Sequence, residues 1–77
     1  MRNNETMQIF RTVVNACIGT TRTINDGSSV DGDEFTLDSG MIEGIAENLA
    51  TWYDEKFDST PNKEEAENYF ESVYPEV

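Results

Sequence analysis

Apolar residues recur along this 77-residue chain with spacings that change twice, and each spacing predicts a different element. From Met7 the apolar positions run through Phe10, Val13, Val14, Cys17 and Ile18. Steps of three and four put them on one stripe of a helix. Asn3 or Asn4 can cap that helix, and Glu5 lies in its first turn, where the helix dipole favours a carboxylate. Gly19 stands where a residue just past a helix end is expected. The reading is a helix over residues 4–18, weakened slightly by the β-branched pair Val13–Val14.

Between Thr20 and Asp38 the helical period is lost. Thr20, Thr21, Thr23 and Ile24 favour extended structure, as do Phe35, Thr36 and Leu37. Turn-forming clusters separate them, Asn25-Asp26-Gly27-Ser28-Ser29 and Asp31-Gly32. The simplest assignment is a loose hairpin with strands near 20–25 and 33–37; a structured loop without strands is the other.

The helical period then returns. Ser39 is read as the cap, with Asp38 adding charge beside it, ahead of Met41, Ile42, Ile45, Ala46, Leu49, Trp52, Tyr53 and Phe57. Gly44 costs this helix roughly 1 kcal/mol relative to alanine. Its wet side carries Glu43, Glu47, Asp54, Glu55 and Asp58. In the third helix Thr60 caps, Pro61 takes the first helical position and Pro75 terminates. Ala66, Tyr69, Phe70, Val73 and Tyr74 form its stripe, opposite Glu64, Glu65, Glu67, Asn68 and Glu71. The linker Asp58-Ser59 is short enough to predict that helices two and three pack as an antiparallel pair.

The fold class expected is therefore α+β, mostly helical: one small domain over residues 1–77, with about three helices and a loop or short hairpin between the first two. The expected core is Phe10, Val14, Cys17, Ile24, Phe35, Leu37, Ile42, Ile45, Leu49, Trp52, Phe70 and Val73. With 36% apolar residues it is thin, and a chain of this size buries only about 60% of its unfolded surface.

Charge changes the picture more than composition does. The net charge is −11, from 16 acidic and 5 basic side chains. Residues 1–25 carry Arg2, Arg11 and Arg22 against Glu5, whereas residues 26–77 carry Lys56 and Lys63 against every other carboxylate. A field of that sign repels nucleic acid and anionic lipid, so direct binding to either is not expected. No apolar run is long enough to span a membrane. The start of the chain lacks the apolar segment of a signal peptide. Cys17 cannot form an internal disulfide, since it is the one cysteine. It reads as a small core hydrophobe in a reducing, cytoplasmic setting.

Chemistry is hard to place. Without histidine the usual triads and an imidazole base are missing. No glycine-rich loop leads to a lysine and a hydroxyl, so there is no P-loop. A carboxylate pair of the glycosidase kind needs a burying cleft, for which a thin core leaves little room. Asp26, Asp31, Asp33, Glu34 and Asp38 crowd one segment and suggest calcium. With Gly32 at position six of an EF-hand loop, however, Gly27 falls at position one and Asp38 at twelve, which loses the first ligand and shortens the last. A solvated acidic loop fits better. No enzyme activity and no cofactor are expected.

The surface remains. Like charges three or four residues apart cost a helix a few tenths of a kcal/mol per pair, about what opposite charges there would contribute. The chain accepts that cost along both later helices. The leading expectation is an inhibitor that binds the cationic site of a basic nucleic-acid-binding protein, a nuclease, effector complex or repair enzyme, by mimicking phosphate charge. Its contact residues would be Asp31, Asp33, Glu34, Glu43, Glu47, Asp54, Asp58, Glu64, Glu67 and Glu71. In size, charge and helical content such a chain resembles the small inhibitors that phages deploy against restriction, CRISPR or repair enzymes; no motif carries the resemblance. The alternative is a docking or regulatory module for a basic partner that handles no nucleic acid. There exposed aromatics would dominate, with Trp52, Tyr53, Tyr69 and Tyr74 as candidates and Tyr74 the best placed for exposure. A third account treats the charge as a solvation device. A monomer or a homodimer fits the first reading; exposure of Met7 or Ile9 would favour the dimer.

Overall fold

The computed structural model describes residues 4–24 and 33–77. Three helices, α1 (Asn4–Asn15), α2 (Ser39–Phe57) and α3 (Lys63–Val73), enclose one core, with strands β1 (Thr21–Ile24) and β2 (Asp33–Thr36) between α1 and α2. The strands form an antiparallel hairpin in which Arg22 faces Phe35 and Thr23 faces Glu34. Of the acidic segment, Asp26 and Asp31 lie outside the described residues, as do the side chains of Ile24 and Asp33.

The helix ends differ from the sequence reading in three places, each for a local reason. α1 stops at Asn15 and not at Ile18. There the chain tightens, with Cys17 N–H bonded to Val14 C=O at 2.9 Å, before Gly19 takes a left-handed φ of 85°. That conformation aims the Gly19 N–H at Leu37 C=O, 2.7 Å away, and starts the pairing that the hairpin continues. Asp38, and not Ser39, caps α2: its carboxylate accepts from the N–H groups of Gly40 and Met41. Asn62, and not Thr60, caps α3. Asn62 and Glu65 exchange side-chain and backbone bonds of 2.8 and 3.1 Å, a reciprocal box that satisfies two N–H groups at once.

α2 and α3, expected to pack as an antiparallel pair, meet less closely than either meets α1. α1 packs against both of the other helices, sending Phe10, Val13 and Val14 into the core with Ile42, Ile45, Leu49 and Phe70. α2 and α3 meet through the rings of Tyr53, Phe57 and Tyr69. After α3 the chain turns back along β1: Thr23 N–H donates to Pro75 C=O at 2.9 Å and Val77 N–H to Thr21 C=O at 3.3 Å. β1 thus lies between β2 and residues 75–77.

Most of the expected core is buried, but Trp52 is 40% exposed, and Cys17, Phe35 and Val73 are only partly covered. Ala46, Ala50, Ala66, Val13, Tyr53 and Tyr74 join the core instead. Two polar residues are also buried, Thr6 and Arg22. Met7 and Ile9 pack against the core edge. No described helix is long and apolar enough to cross a membrane.

Candidate partner-binding surface

Helical spacing places Glu43, Glu47, Asp54 and Asp58 along one edge of α2, and two bonds fix which edge it is. Arg11 Nη2 of α1 donates to Glu43 Oε1 at 3.0 Å, and Thr6 Oγ1 of α1 donates to Asp54 Oδ1 at 3.1 Å. This row therefore borders α1. Asp58 ends it as the C-cap, in a left-handed conformation.

Glu64, Glu67 and Glu71 make the corresponding row on α3. Glu67 and Glu71, with Lys63, face Thr12 of α1 and Ala16 and Cys17 just past its end across a groove of about 160 Å³. The second row borders α1 from the other side. Between the rows lies the exposed strip of α1, Glu5, Gln8, Thr12 and Asn15, which is polar and carries one carboxylate, Glu5, at its start. Two acidic borders around a sparsely charged strip is an arrangement that residue spacing within single helices does not reveal.

The ten carboxylates expected to act together do not have equal standing. Glu47, Asp58, Glu64 and Glu67 are exposed on the two rows. Glu43 and Glu71 are exposed but already hold arginines of this chain. Asp54 is half-buried and holds Thr6. Glu34 points outward from β2, away from both rows in sequence. Asp33 opens β2, and Asp31 lies outside the described residues. Asp38, considered as a calcium ligand, is occupied as a helix cap. Among the described residues, no three acidic or cysteine side chains converge as a metal site.

The aromatic candidates also redistribute. Tyr74 is buried against Phe70 and Phe35 and is not exposed. Tyr53 is buried as well, and Tyr69 is half-covered. Burial raises the pKa of all three phenols; Glu65 adds to the effect at Tyr53, where a Ser59 hydrogen bond opposes it, and Tyr53 adds to it at Tyr69. The exposed rings are Trp52 and Phe57. Phe57 continues the stripe of α2 by a step of four from Tyr53, and as the last residue of that helix it stands half in solvent. Compared with protein-family models, curated proteins and solved structures, the chain gives no match.

Proposed function

We propose that this protein is a non-enzymatic inhibitor that occupies the cationic nucleic-acid-binding site of a target protein. One observation carries the reading: the acidic rows of α2 and α3 flank an outer strip of α1 that is polar and carries a carboxylate only at its start, Glu5. A nucleic-acid duplex likewise offers two lines of negative charge on either side of a groove. A target whose lysines and arginines straddle such a groove would meet Glu47 and Asp58 on one side, Glu64 and Glu67 on the other. Each carboxylate accepts charge-assisted hydrogen bonds in place of a phosphate oxygen. Association is then fast and salt-sensitive. Inhibitors of this sort act in the cytoplasm, in the manner of those that phages use against restriction, CRISPR or repair enzymes.

The test is capture of partners from lysate on the tagged protein, eluted in parallel with salt and with duplex DNA. Recovery of a nucleic-acid-binding protein that DNA displaces is the expected result. Replacing Glu47, Asp58, Glu64 and Glu67 together by lysine should then weaken capture about thirtyfold or more, four lost ion pairs of modest strength. Undiminished capture by that variant, with its helix content intact, would overturn the reading. A partner that resists DNA would favour a docking module instead, for which the exposure of Trp52 and Phe57 speaks.

A further inference from the structure

At the corner where α2 leads into α3 lies an open groove of about 400 Å³, lined by Tyr53, Phe57, Ser59, Glu65, Asn68 and Tyr69. Three of its lining groups are aromatic rings. The Tyr53 and Phe57 centroids are 4.5 Å apart, and Tyr69 stands nearly perpendicular to both, at 5.2 and 5.9 Å. Phe57 keeps 47% of its surface exposed at the groove. The carboxylate of Glu65 is held at its edge, because Oε1 accepts the Asn62 N–H in the capping box.

The electrostatics of this corner favour a cation. The C-terminal end of α2 directs the negative pole of its dipole here, and Asp58 caps it. Glu64 and Glu65 occupy the first turn of α3 and offset the positive pole of that helix. The faces of aromatic rings attract cations, and Lys56 already holds its ammonium 5.5 Å from the Phe57 centroid.

The interior of the protein shows what such a combination holds. There the Arg22 guanidinium lies 4.8 Å from the centre of the Phe70 ring while donating to Glu71 at 2.9 Å. The surface groove offers the same two elements, aromatic faces and a fixed carboxylate. We infer that it receives an arginine side chain of a basic partner, the guanidinium lying against Phe57 and Tyr69 and donating to Glu65. Arginine suits it better than lysine because a planar guanidinium stacks on a ring and donates in its own plane at once. The inference rests on the proposed function only in taking the partner to be cationic.

The experiment is an amide NMR titration of the whole protein at fixed ionic strength. Its probes are the Nα-acetyl amides of arginine, of lysine and of citrulline, the last a neutral analogue of arginine in shape. The expected result is that the arginine probe shifts the amides of Ser59, Glu65, Asn68 and Tyr69, and that both other probes bind more weakly. Phe57→Ala removes a half-exposed ring that packs on Tyr53 and Tyr69; with helix content matching the parent, it should weaken the arginine probe about three- to fivefold, the equivalent of one exposed cation–π contact. Glu65→Gln keeps an acceptor for the cap and should weaken it comparably. Shifts spread along both acidic rows and unchanged by Phe57→Ala would overturn the inference. So would equal binding of the citrulline probe, tighter binding of the lysine probe, or no binding. DNA-displaceable capture without groove binding would overturn the groove and leave the inhibitor standing; groove binding without such capture would do the reverse.

Discussion

Arg22 of β1 donates from Nη1 to Oε2 of Glu71 on α3 across 2.9 Å, and the two partners sit in very different surroundings: the arginine is 3% exposed, the glutamate mostly in solvent. The same guanidinium donates to Tyr74 C=O at 3.2 Å and to Cys17 Sγ at 3.2 Å. It ties the hairpin to the end of α1 and to α3. Burial by itself would lower its pKa, but the bonds to Glu71 and Cys17 outweigh this and the net shift is upward. Arg22→Met keeps an apolar stem but strips the buried Tyr74 carbonyl of a donor, and should cost about 2 kcal/mol in urea denaturation. Glu71→Gln, at an exposed site, should cost less than about 1 kcal/mol. The opposite ranking would mean that the ion pair, and not the buried guanidinium, holds these elements together.

The two caps can be told apart from their neighbours. Asp38→Ala and Asn62→Ala should each lower stability by about 1 kcal/mol, while Ser39→Ala should stay within about 0.5 kcal/mol of the parent. Chemical denaturation of the three variants is enough. A larger loss at Ser39 than at Asp38 would move the start of α2 by one residue.

Gly44 and Gly19 should respond in opposite senses to alanine. Gly44 is helical and a methyl group there meets nothing within 4 Å, so Gly44→Ala should add about 1 kcal/mol and raise Tm by roughly 4–8 °C. Gly19 holds φ at 85°, and Gly19→Ala should cost about 1–2 kcal/mol despite the open space around it. Thermal melts followed by circular dichroism read both.

Alkali should unfold the protein through its tyrosines. Tyr53, Tyr69 and Tyr74 are held above the usual phenol pKa, chiefly by burial. Above about pH 10 the unfolded chain releases phenol protons that the folded chain retains, so the unfolded state is favoured as pH rises. The stabilisation is fully present below that pH and is lost as pH climbs through the folded values. Phenolate absorbance and helix content should therefore change together on alkaline titration. Phenolate appearing well before helix loss would show that these rings ionise in the folded state.

How far the sequence discloses all this depends on the kind of signal. The stripes of α1, α2 and α3 are legible because burial repeats with the helical period, and the hairpin because Thr and Ile yield to Asn, Asp and Gly. The start of α3 was legible too, in the Asn62–Glu65 spacing; the Pro61 rule pointed elsewhere, and the reciprocal bonds of the box prevailed. Trp52 and Tyr74 show the limit of periodicity. A stripe does not say which of its edges meets a neighbour, and Trp52, at one edge of the α2 stripe, keeps 40% of its surface exposed. Arg22 was hidden altogether, since a lone arginine in a threonine-rich strand looks solvated until α3 is seen to lie across it. The acidic residues were legible one by one, but their grouping into two borders depends on α1 packing against both α2 and α3, which the spacing within any one helix does not show.

The backbone of residues 75–77 lying along β1 has a consequence for how the chain folds. Helices and hairpins are built from near neighbours and are in general the fast elements of folding, forming in about microseconds. β1 acquires its second neighbour only when chain separated by about 50 residues closes on it, as the 52-residue span of the Arg22–Tyr74 bond measures, and contacts so distant in sequence form late. Until then β1 presents an uncovered row of N–H and C=O groups, the kind of edge on which a second chain can add. The net charge of −11 is carried by every copy in that interval. Like charge on every copy opposes the addition of a second chain to such an edge.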